Sequence, residues 1–205
     1  MRLFLIRHGQ TDYNKLGIVQ GSGVNTSLNQ KGQMQAALFY EKYKNIAFKK
    51  VYTSALNRSI ESVQKFIDKP TPWVSLTALN EISWGNTDGC KISTSEHLEY
   101  QNTIKLWSEG KVDLAMPGGE SPLQVFERQK EAKNLLDSEN DGSDILVCMH
   151  GRAMRIFICL LTGSPLSMMD EFMHDNLCLY VLERQNDFYK ITVRNDLSHL
   201  NSLNN

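Results

Sequence analysis

The sequence predicts a three-layer α/β/α sandwich whose sheet is mostly parallel and ends in an antiparallel edge strand. Short apolar runs typical of buried strands occur at 2–6, 51–54 and 144–149, and a segment with helical spacing of apolar residues comes after each of them. Two further runs, at 177–182 and 189–193, flank Gln185-Asn186-Asp187, which indicates a closing hairpin. The alternation favours a parallel sheet, and the hairpin supplies the antiparallel edge.

The N-terminal elements begin with the buried strand over 2–6. A loop is predicted over about 10–27, where several glycines interrupt regular structure. A helix begins near Asn29, a residue type that caps helix N-termini, and its apolar side chains are expected to face the core. Those side chains are Met34, Ala37 and Leu38.

The middle of the chain continues the alternation. The strand over 51–54 leads at once into a helix through 60–67. An alternating pattern over 73–79 predicts a third strand, and the polar, glycine-containing segment 81–89 reads as a loop.

Two helices follow that loop. Segment 93–110 predicts a weakly amphipathic helix, which belongs to an inserted cap segment over about 90–117. A strong helix start lies at 121–124, with Ser as N-cap, Pro at the first helical position and Gln three residues after the cap. That helix is predicted to run to about Leu136.

The last strand of the parallel set, over 144–149, precedes a helix over 153–161 that Gly163 ends. No internal repeat, low-complexity segment or linker divides the sequence. Residues 1–205 are therefore predicted to form a single domain that carries the cap segment as an insertion.

Composition limits the classes of partner. The 205 residues carry a net charge of −1, so no strong global field attracts nucleic acid or an anionic membrane surface. The apolar run at 3–6 is too short for a signal peptide, and no stretch approaches the ~20 apolar residues of a membrane span. The four cysteines show no C-x-x-C spacing, which favours reduced thiols in a cytoplasmic protein. The sequence leaves a homodimer open.

Polar clusters follow three of the predicted strands, at 7–9, 54–58 and 150–152. Because ligands of open α/β sheets bind outside the carboxyl ends of the strands, we expect these clusters to meet at one rim. Their arginines, histidines and helix N-termini favour a small dianion such as a phosphate ester. A neutral imidazole can act as nucleophile, and Glu81, just after the third strand, is the candidate proton donor.

Several segments resemble the motifs of the histidine phosphatase superfamily, and more closely those of its phosphoglycerate-mutase-like branch. Residues 7–14 are similar to the R-H-G-x-x-x-x-N signature, and 53–58 to the S-x-x-x-R element. Further family blocks are matched, in the family's order, at 28–36, 79–89, 117–121, 149–151 and 195–200.

The resemblance implies a role for each matched residue. His8 would be phosphorylated, Arg7, Arg58 and His150 would bind the phosphoryl group, and Glu81 would protonate the leaving oxygen. The implied substrate-binding set is Arg7, Asn14, Gln20, Gly21, Arg58, Glu81, His150 and Gly151. The resemblance implies no metal and no organic cofactor.

The function predicted is hydrolysis of a small phosphorylated metabolite through a phosphohistidine, with inorganic phosphate as product. A phosphoglycerate mutase would use the same residues, but the 205-residue length and the short cap segment favour hydrolysis. A phosphate-binding or partner-binding module without turnover is the alternative from another class. The roles of Glu120 and Arg152 are left open, and structural or surface roles are expected for His97, His174 and His199.

Overall fold

The computed structural model describes residues 1–91, 93–139 and 141–203, and it contains a six-stranded mixed sheet in the order β3-β2-β4-β1-β5-β6. Strands β3, β2, β4 and β1 run parallel, β5 is antiparallel to β1, and β6 is antiparallel to β5. The predicted fold class is confirmed. The strands are β1 (Arg2–Arg7), β2 (Lys50–Thr53), β3 (Trp73–Ser75), β4 (Ile145–Met149), β5 (Leu179–Gln185) and β6 (Phe188–Asp196).

Helices cover both faces of this sheet. None of those in the described part of the chain is long and apolar enough to cross a membrane. The helices are α1 (Asp12–Leu16), α2 (Gln30–Tyr43), α3 (Asn57–Ser62), α4 (Gln64–Ile67), α5 (Thr94–Ser108), α6 (Pro122–Ser138) and α7 (Gly151–Thr162). Short 3-10 turns occur at Thr77–Leu79, Gly85–Thr87, Leu166–Glu171 and Ser198–Leu203.

The three layers follow from the alternation of side chains along β1. Leu3 and Leu5 point into the core shared with α6 and α7. Phe4 and Ile6 point to the opposite face and join the core that contains Phe39 of α2. Successive side chains of a strand face opposite sides of a sheet, so the four consecutive buried apolar residues of β1 require a helical layer on each side.

One helix lies where the sequence predicted only a loop. Thr11 caps α1, because its hydroxyl accepts from the Asn14 N–H while the Asn14 amide oxygen accepts from the Thr11 N–H. Gly17 ends the helix in the left-handed conformation with φ 66°. The sequence contains these cap residues, but the helix was not predicted because it has only five residues and lies among several glycines.

The buried face predicted for α2 is correct only in part: Ala37 and Leu38 are half-buried and Leu38 packs against the core, but Met34 faces away from it. Met34 is 48% exposed, whereas the buried positions of the helix are Gly32, Gln35 and Phe39. Gln35 is buried because its side-chain oxygen accepts from the Gln10 N–H, 2.9 Å away, and so satisfies a loop amide at the edge of the sheet. Because Gln35 is buried for this hydrogen bond, the buried face of α2 differs from the face that its apolar residues predict.

Two other boundaries differ from the prediction. The helix expected through 60–67 breaks at Val63, which leaves helical geometry with φ −122° and separates α3 from α4. Strand β3 stops at Ser75, since the Leu76 N–H still pairs with Thr53 but the chain then turns at Thr77–Leu79. This turn brings the following loop back over the ends of the parallel strands.

The predicted start of α6 and the predicted end of α7 are confirmed. Ser121 and Gln124 form a reciprocal capping box around Pro122 at the first helical position. Gly163 ends α7 with φ 73°.

The C-terminal turn at Ser198–Leu203 docks through a buried histidine. His199 is 7% exposed and its ring packs against the rings of Phe39 and Tyr43. Burial lowers the pKa of His199 to about 4. Between that value and the ordinary histidine pKa of about 6.5, the unfolded chain binds a proton that the folded chain excludes. The free energy of unfolding that depends on His199 therefore decreases as the pH falls from about 6.5 to about 4.

Replacement of His199 by Phe keeps a packed ring and removes this proton. We expect His199→Phe to lose less of its unfolding free energy than the parent protein between about pH 7 and about pH 4.5. Urea unfolding at several pH values measures the difference. His97→Gln, at an exposed position of α5, is the matched control and keeps the parent's pH dependence. Equal losses in His199→Phe and the parent would contradict the prediction.

Candidate active site

A cleft of about 210 Å³ opens at the carboxyl ends of the parallel strands. The order β2-β4-β1 makes the three strands neighbours, so the polar clusters that follow them meet there. Predicted residues that line the cleft are Arg7, His8, Asn14, Gln20, Glu81 and Gly151. Arg58 and His150 are fully buried beside this lining.

His8 presents a free ring nitrogen. Its backbone N–H donates to the Met149 carbonyl at 2.9 Å, which continues the pairing of β1 with β4. Its Nδ1 lies 2.7 Å from the Gly9 carbonyl oxygen. A carbonyl only accepts, so Nδ1 carries the proton and Nε2 keeps its lone pair. Burial, followed by the charges of Arg7 and Arg58, holds the pKa of His8 well below its usual value.

Arg7 brings a positive charge beside His8 from the last position of β1. Its Nη1 donates to the His174 carbonyl at 2.7 Å, and its buried Nε has no hydrogen-bond partner among the described residues. The backbone of Gly151 lies close by: a Cβ there would come within 2.5 Å of the His174 ring and 3.4 Å of Arg7 Nε. A glycine is therefore required for this close approach.

Arg58 and His150 hold each other. Arg58 Nε donates to His150 Nδ1 at 3.2 Å, and its Nη1 and Nη2 donate to the Val24 and Gly21 carbonyls. Because His150 Nδ1 accepts, the neutral ring carries its proton on Nε2, which donates to Ser54 Oγ at 2.7 Å. Both ring nitrogens of His150 are thus engaged, and burial together with Arg58 lowers its pKa. The ring lies 5.2 Å from that of His8, centroid to centroid.

Glu81 sits at the N-terminus of α7. Its Oε1 accepts from the N–H groups of Ile82 and Ala153, at 2.9 and 2.7 Å, and its Oε2 accepts from the Arg152 N–H at 3.1 Å. The carboxylate therefore caps this helix, because the side chain of the N-cap residue His150 accepts no hydrogen bond from the helix N–H groups. Helix N-termini were predicted to bind the substrate anion, but at α7 the first amides donate to Glu81 instead.

Glu120 and Arg128 fix the loop that carries Glu81. Arg128 donates to the backbone oxygens of Ala78 and Glu81 and forms a two-pronged pair with the Glu120 carboxylate. Glu120 also accepts from the Ser83 N–H at 2.9 Å. The role left open for Glu120 is thus to organise the site rather than to contact the cleft.

Asn14, Gln20 and Gly21 differ in whether they line the cleft and in which polar groups they leave without a hydrogen bond. The Asn14 oxygen accepts from Thr11 and from Asn176, so its amide Nδ2 is left free of partners among the described residues. Gln20 lines the cleft and donates to Thr11 Oγ1 at 2.6 Å. Gly21 does not line it, because its N–H goes to Asp88 and its carbonyl to Arg58.

His174 is a cleft residue that the sequence analysis missed. It was assigned a structural or surface role, but its side chain lines the cleft. Burial, with Arg7, Arg155 and Arg152 nearby, lowers its pKa to about 2. No sequence signal marks it, since it stands in irregular chain before β5. The predicted cap segment contributes Glu96, Tyr100 and Met116 to the cleft wall.

Metal ligation has no candidate set in the described ranges: no group of three His, Cys, Asp or Glu side chains there could hold an ion. Cys148, Cys159 and Cys178 are free and buried, and Cys90 is free and exposed.

Comparison with known proteins identifies a family that matches nearly the whole chain and relatives that match parts of it. The family model described as histidine phosphatase superfamily (branch 1) matches residues 3–197. A probable phosphatase of Schizosaccharomyces pombe is 35% identical, over 54% of this chain and 53% of its own. A 2,3-bisphosphoglycerate-dependent phosphoglycerate mutase of Beijerinckia indica is 30% identical over 78% of this chain and 81% of its own.

A solved structure extends the similarity to the fold. The phosphoserine phosphatase of Entamoeba histolytica, crystallised with 3-phosphoglyceric acid, superposes with a TM-score of 0.81 and 27% identity. The match covers 97% of this chain and 98% of that one.

The state of the His8 ring can be measured directly. We expect long-range ¹H–¹⁵N spectra to show a protonated Nδ1 and an unprotonated Nε2 from about pH 8 down to about pH 5, because burial and two guanidinium groups exclude a second proton. In Arg58→Gln, loss of one of these charges should raise the pKa of His8. A His8 ring that titrates near its ordinary value in the parent protein would refute the assignment.

Proposed function

Because the chain belongs to the histidine phosphatase superfamily, we propose that it is a phosphomonoester hydrolase with a phosphohistidine intermediate at His8. The observation that supports this most is the His8 ring, which lines the same cleft as Arg7 and Glu81 and whose Nε2 has no hydrogen-bond partner among the described residues. We extend the proposal to a single domain over residues 1–205, with the segment 90–117 as its cap.

In the first step, His8 Nε2 attacks the phosphorus atom of the bound ester. A P–N bond forms, the bond to the ester oxygen breaks, and the electron pair leaves with that oxygen. Arg7 and Arg58 stabilise the charge on the phosphoryl oxygens, with Asn14 as a further donor. Phosphoryl transfer depends chiefly on such positioning and charge stabilisation.

Glu81 supplies the proton to the leaving oxygen. Its Oε1 accepts two backbone N–H groups and its Oε2 accepts one, which leaves Oε2 the position for a proton. In the second step, water attacks the phosphorus atom, Glu81 takes the proton of that water, and the P–N bond breaks to release inorganic phosphate. Acid and base are thus the same group in its two states.

His150 has a positioning role in this scheme. The resemblance implied direct contact with the phosphoryl group, but both ring nitrogens are bonded, to Arg58 and to Ser54. We infer that His150 directs the Arg58 guanidinium toward the phosphoryl group, and that contact with the substrate would need the Ser54 bond to open. Gly21 has a similar supporting role through its carbonyl.

The substrate is proposed to be a small phosphorylated metabolite, and the product inorganic phosphate. The cleft volume of about 210 Å³ suits a compact ester. Buried free thiols at Cys148, Cys159 and Cys178 support a cytoplasmic location, where cysteines stay reduced.

The decisive experiment follows phosphate release from a panel of small phosphate esters. We expect His8→Ala to lower the rate by about a thousandfold or more, because no other group in the scheme can form the P–N bond. The parent protein, mixed rapidly with ³²P-labelled ester and quenched in alkali, should carry acid-labile, alkali-stable label at His8. His97→Ala, at an exposed position, should retain both label and activity.

The same assay separates the rivals. A mutase would interconvert 2- and 3-phosphoglycerate with a bisphosphoglycerate primer and release little free phosphate. A binding module would show equal phosphate release in the parent and in His8→Ala. Either result refutes the hydrolase proposal.

The role of Glu81 as proton donor is tested by comparing esters whose leaving groups differ in their need for a proton. We expect Glu81→Gln to lower kcat/KM, which reports the steps up to formation of the phosphohistidine, by about 10² to 10⁴ for alkyl phosphates, since alkoxides need a proton to leave. The loss should be much smaller for p-nitrophenyl phosphate, whose phenolate leaves without one. Glu96→Gln, which removes another carboxylate from the cleft wall, should keep the parent's dependence on the leaving group. Equal losses for both ester types in Glu81→Gln would exclude it as the acid.

A further inference from the structure

Arg152 is a buried cation that faces the cleft and that the proposed reaction does not use. It is the second residue of α7, lines the cleft and is 6% exposed. Its guanidinium carbon lies 5.4 Å from the centroid of the Trp107 ring, and its Nη2 lies 3.4 Å from the Tyr100 hydroxyl. Stacking and burial hold the side chain in one position beneath α5.

The acid that neutralises Arg152 is shared. Nη1 of Arg152 donates to Asp170 Oδ1 at 2.6 Å, and Nη1 of Arg155 donates to the same oxygen. Asp170 Oδ2 has no partner among the described residues. One carboxylate thus serves two buried guanidinium groups, although a buried charge is costly unless it is fully paired.

The two arginines differ in what they face. Arg155 does not line the cleft, and its Nη2 donates to His174 Nδ1 at 3.3 Å. Arg155 alone would tie α7 to the turn that carries Asp170, so the structural role does not need Arg152. Asp170 carries one negative charge against two guanidinium groups, so the cluster keeps a net positive charge, and of the two arginines it is Arg152 that lines the cleft.

We propose that Arg152 binds a second anionic group of the substrate, a carboxylate or a phosphate, distinct from the phosphoryl group that reacts at His8. The inference rests on the proposed function and narrows its substrate class to phosphomonoesters whose alcohol part is itself anionic. The second group would lie on the α5 side of the cleft, within reach of both the Arg152 guanidinium and the Tyr100 hydroxyl. A guanidinium suits this task because its planar fork matches carboxylate and phosphate oxygens.

Glu96 is the carboxylate of α5 that lines the cleft. It is bonded to Ser93 in the first turn of the helix and could attract a substrate ammonium group. A fair test of Arg152 must therefore compare esters that differ only in the second anionic group, once with an ammonium group present and once without.

The test measures kcat/KM for three substrate pairs. Phosphoserine against phosphoethanolamine adds one carboxylate beside an ammonium group. Phosphoglycolate against 2-hydroxyethyl phosphate compares esters with and without a carboxylate where no ammonium is present. Fructose 1,6-bisphosphate against fructose 6-phosphate adds a second phosphate. The pair that shows the preference tells carboxylate from phosphate as the group bound.

We expect the parent to prefer the more anionic member of at least one pair by about 10- to 100-fold, the range of one charged hydrogen-bonded contact. In Arg152→Gln this ratio should fall toward one, mainly through KM. Arg155→Gln, which removes the other bond to Asp170 Oδ1, is the matched control and should keep the ratio. If Arg152→Gln fails to fold, Arg152→Lys keeps the charge without the fork and should still lower the ratio.

Two results would overturn the inference: no preference in any pair, or a preference that survives in Arg152→Gln. A surviving preference together with equal losses for both members of each pair would mean that Arg152 serves the reacting phosphoryl group. Absence of phosphate release from all six esters in the parent protein would count instead against the hydrolase proposal.

Discussion

The hydrogen bond from His8 Nδ1 to the Gly9 carbonyl decides what the cleft can do, because it chooses which ring nitrogen is free. With Nδ1 protonated, Nε2 is the only basic atom of the ring, and it points away from the backbone that holds it. Burial and the two arginines exclude a second proton from this ring. A neutral histidine needs no neighbouring base to act as a nucleophile, and the charged groups beside this ring that lower its pKa are the two arginines.

This arrangement concentrates positive charge in a buried place, and the fold has to stabilise that charge without a substrate. Backbone carbonyls do most of it: those of Val24 and Gly21 accept from Arg58, and that of His174 accepts from Arg7. Carbonyl dipoles hold a guanidinium in position but leave its net charge in place. The charge is therefore available to a phosphoryl group, whereas a full salt bridge would have neutralised it.

The sequence predicted the fold and the core of the site because both depend on local patterns. Uniformly apolar strands require two helical layers, and the sheet order brings the residues after β1, β2 and β4 together. The burial of Gln35 could not be predicted, because it depends on a hydrogen bond from the distant Gln10 amide. The position of His174 could not be predicted either, because it depends on a hydrogen bond from the Arg7 guanidinium. The sequence also did not predict that both ring nitrogens of His150 form hydrogen bonds within the protein, since these bonds depend on the rotamers of Arg58 and Ser54.

The N-terminus of α7 shows how one structural requirement shapes the rest of the cleft. Helix N-termini commonly bind phosphate through free amides, but here the Arg152 and Ala153 amides bind the Glu81 carboxylate. The helix therefore orients Glu81, the proposed proton donor, and in the proposed scheme the substrate anion is bound by side chains. The two residues after His150 therefore have different roles. Gly151 has no side chain, so the His174 ring can pack against its backbone. The Arg152 side chain extends beneath α5, where it stacks on Trp107. The proposed chemistry and the proposed selectivity are thus carried by different atoms of one helix turn, so selectivity can change at position 152 while the Glu81 bonds to the backbone remain.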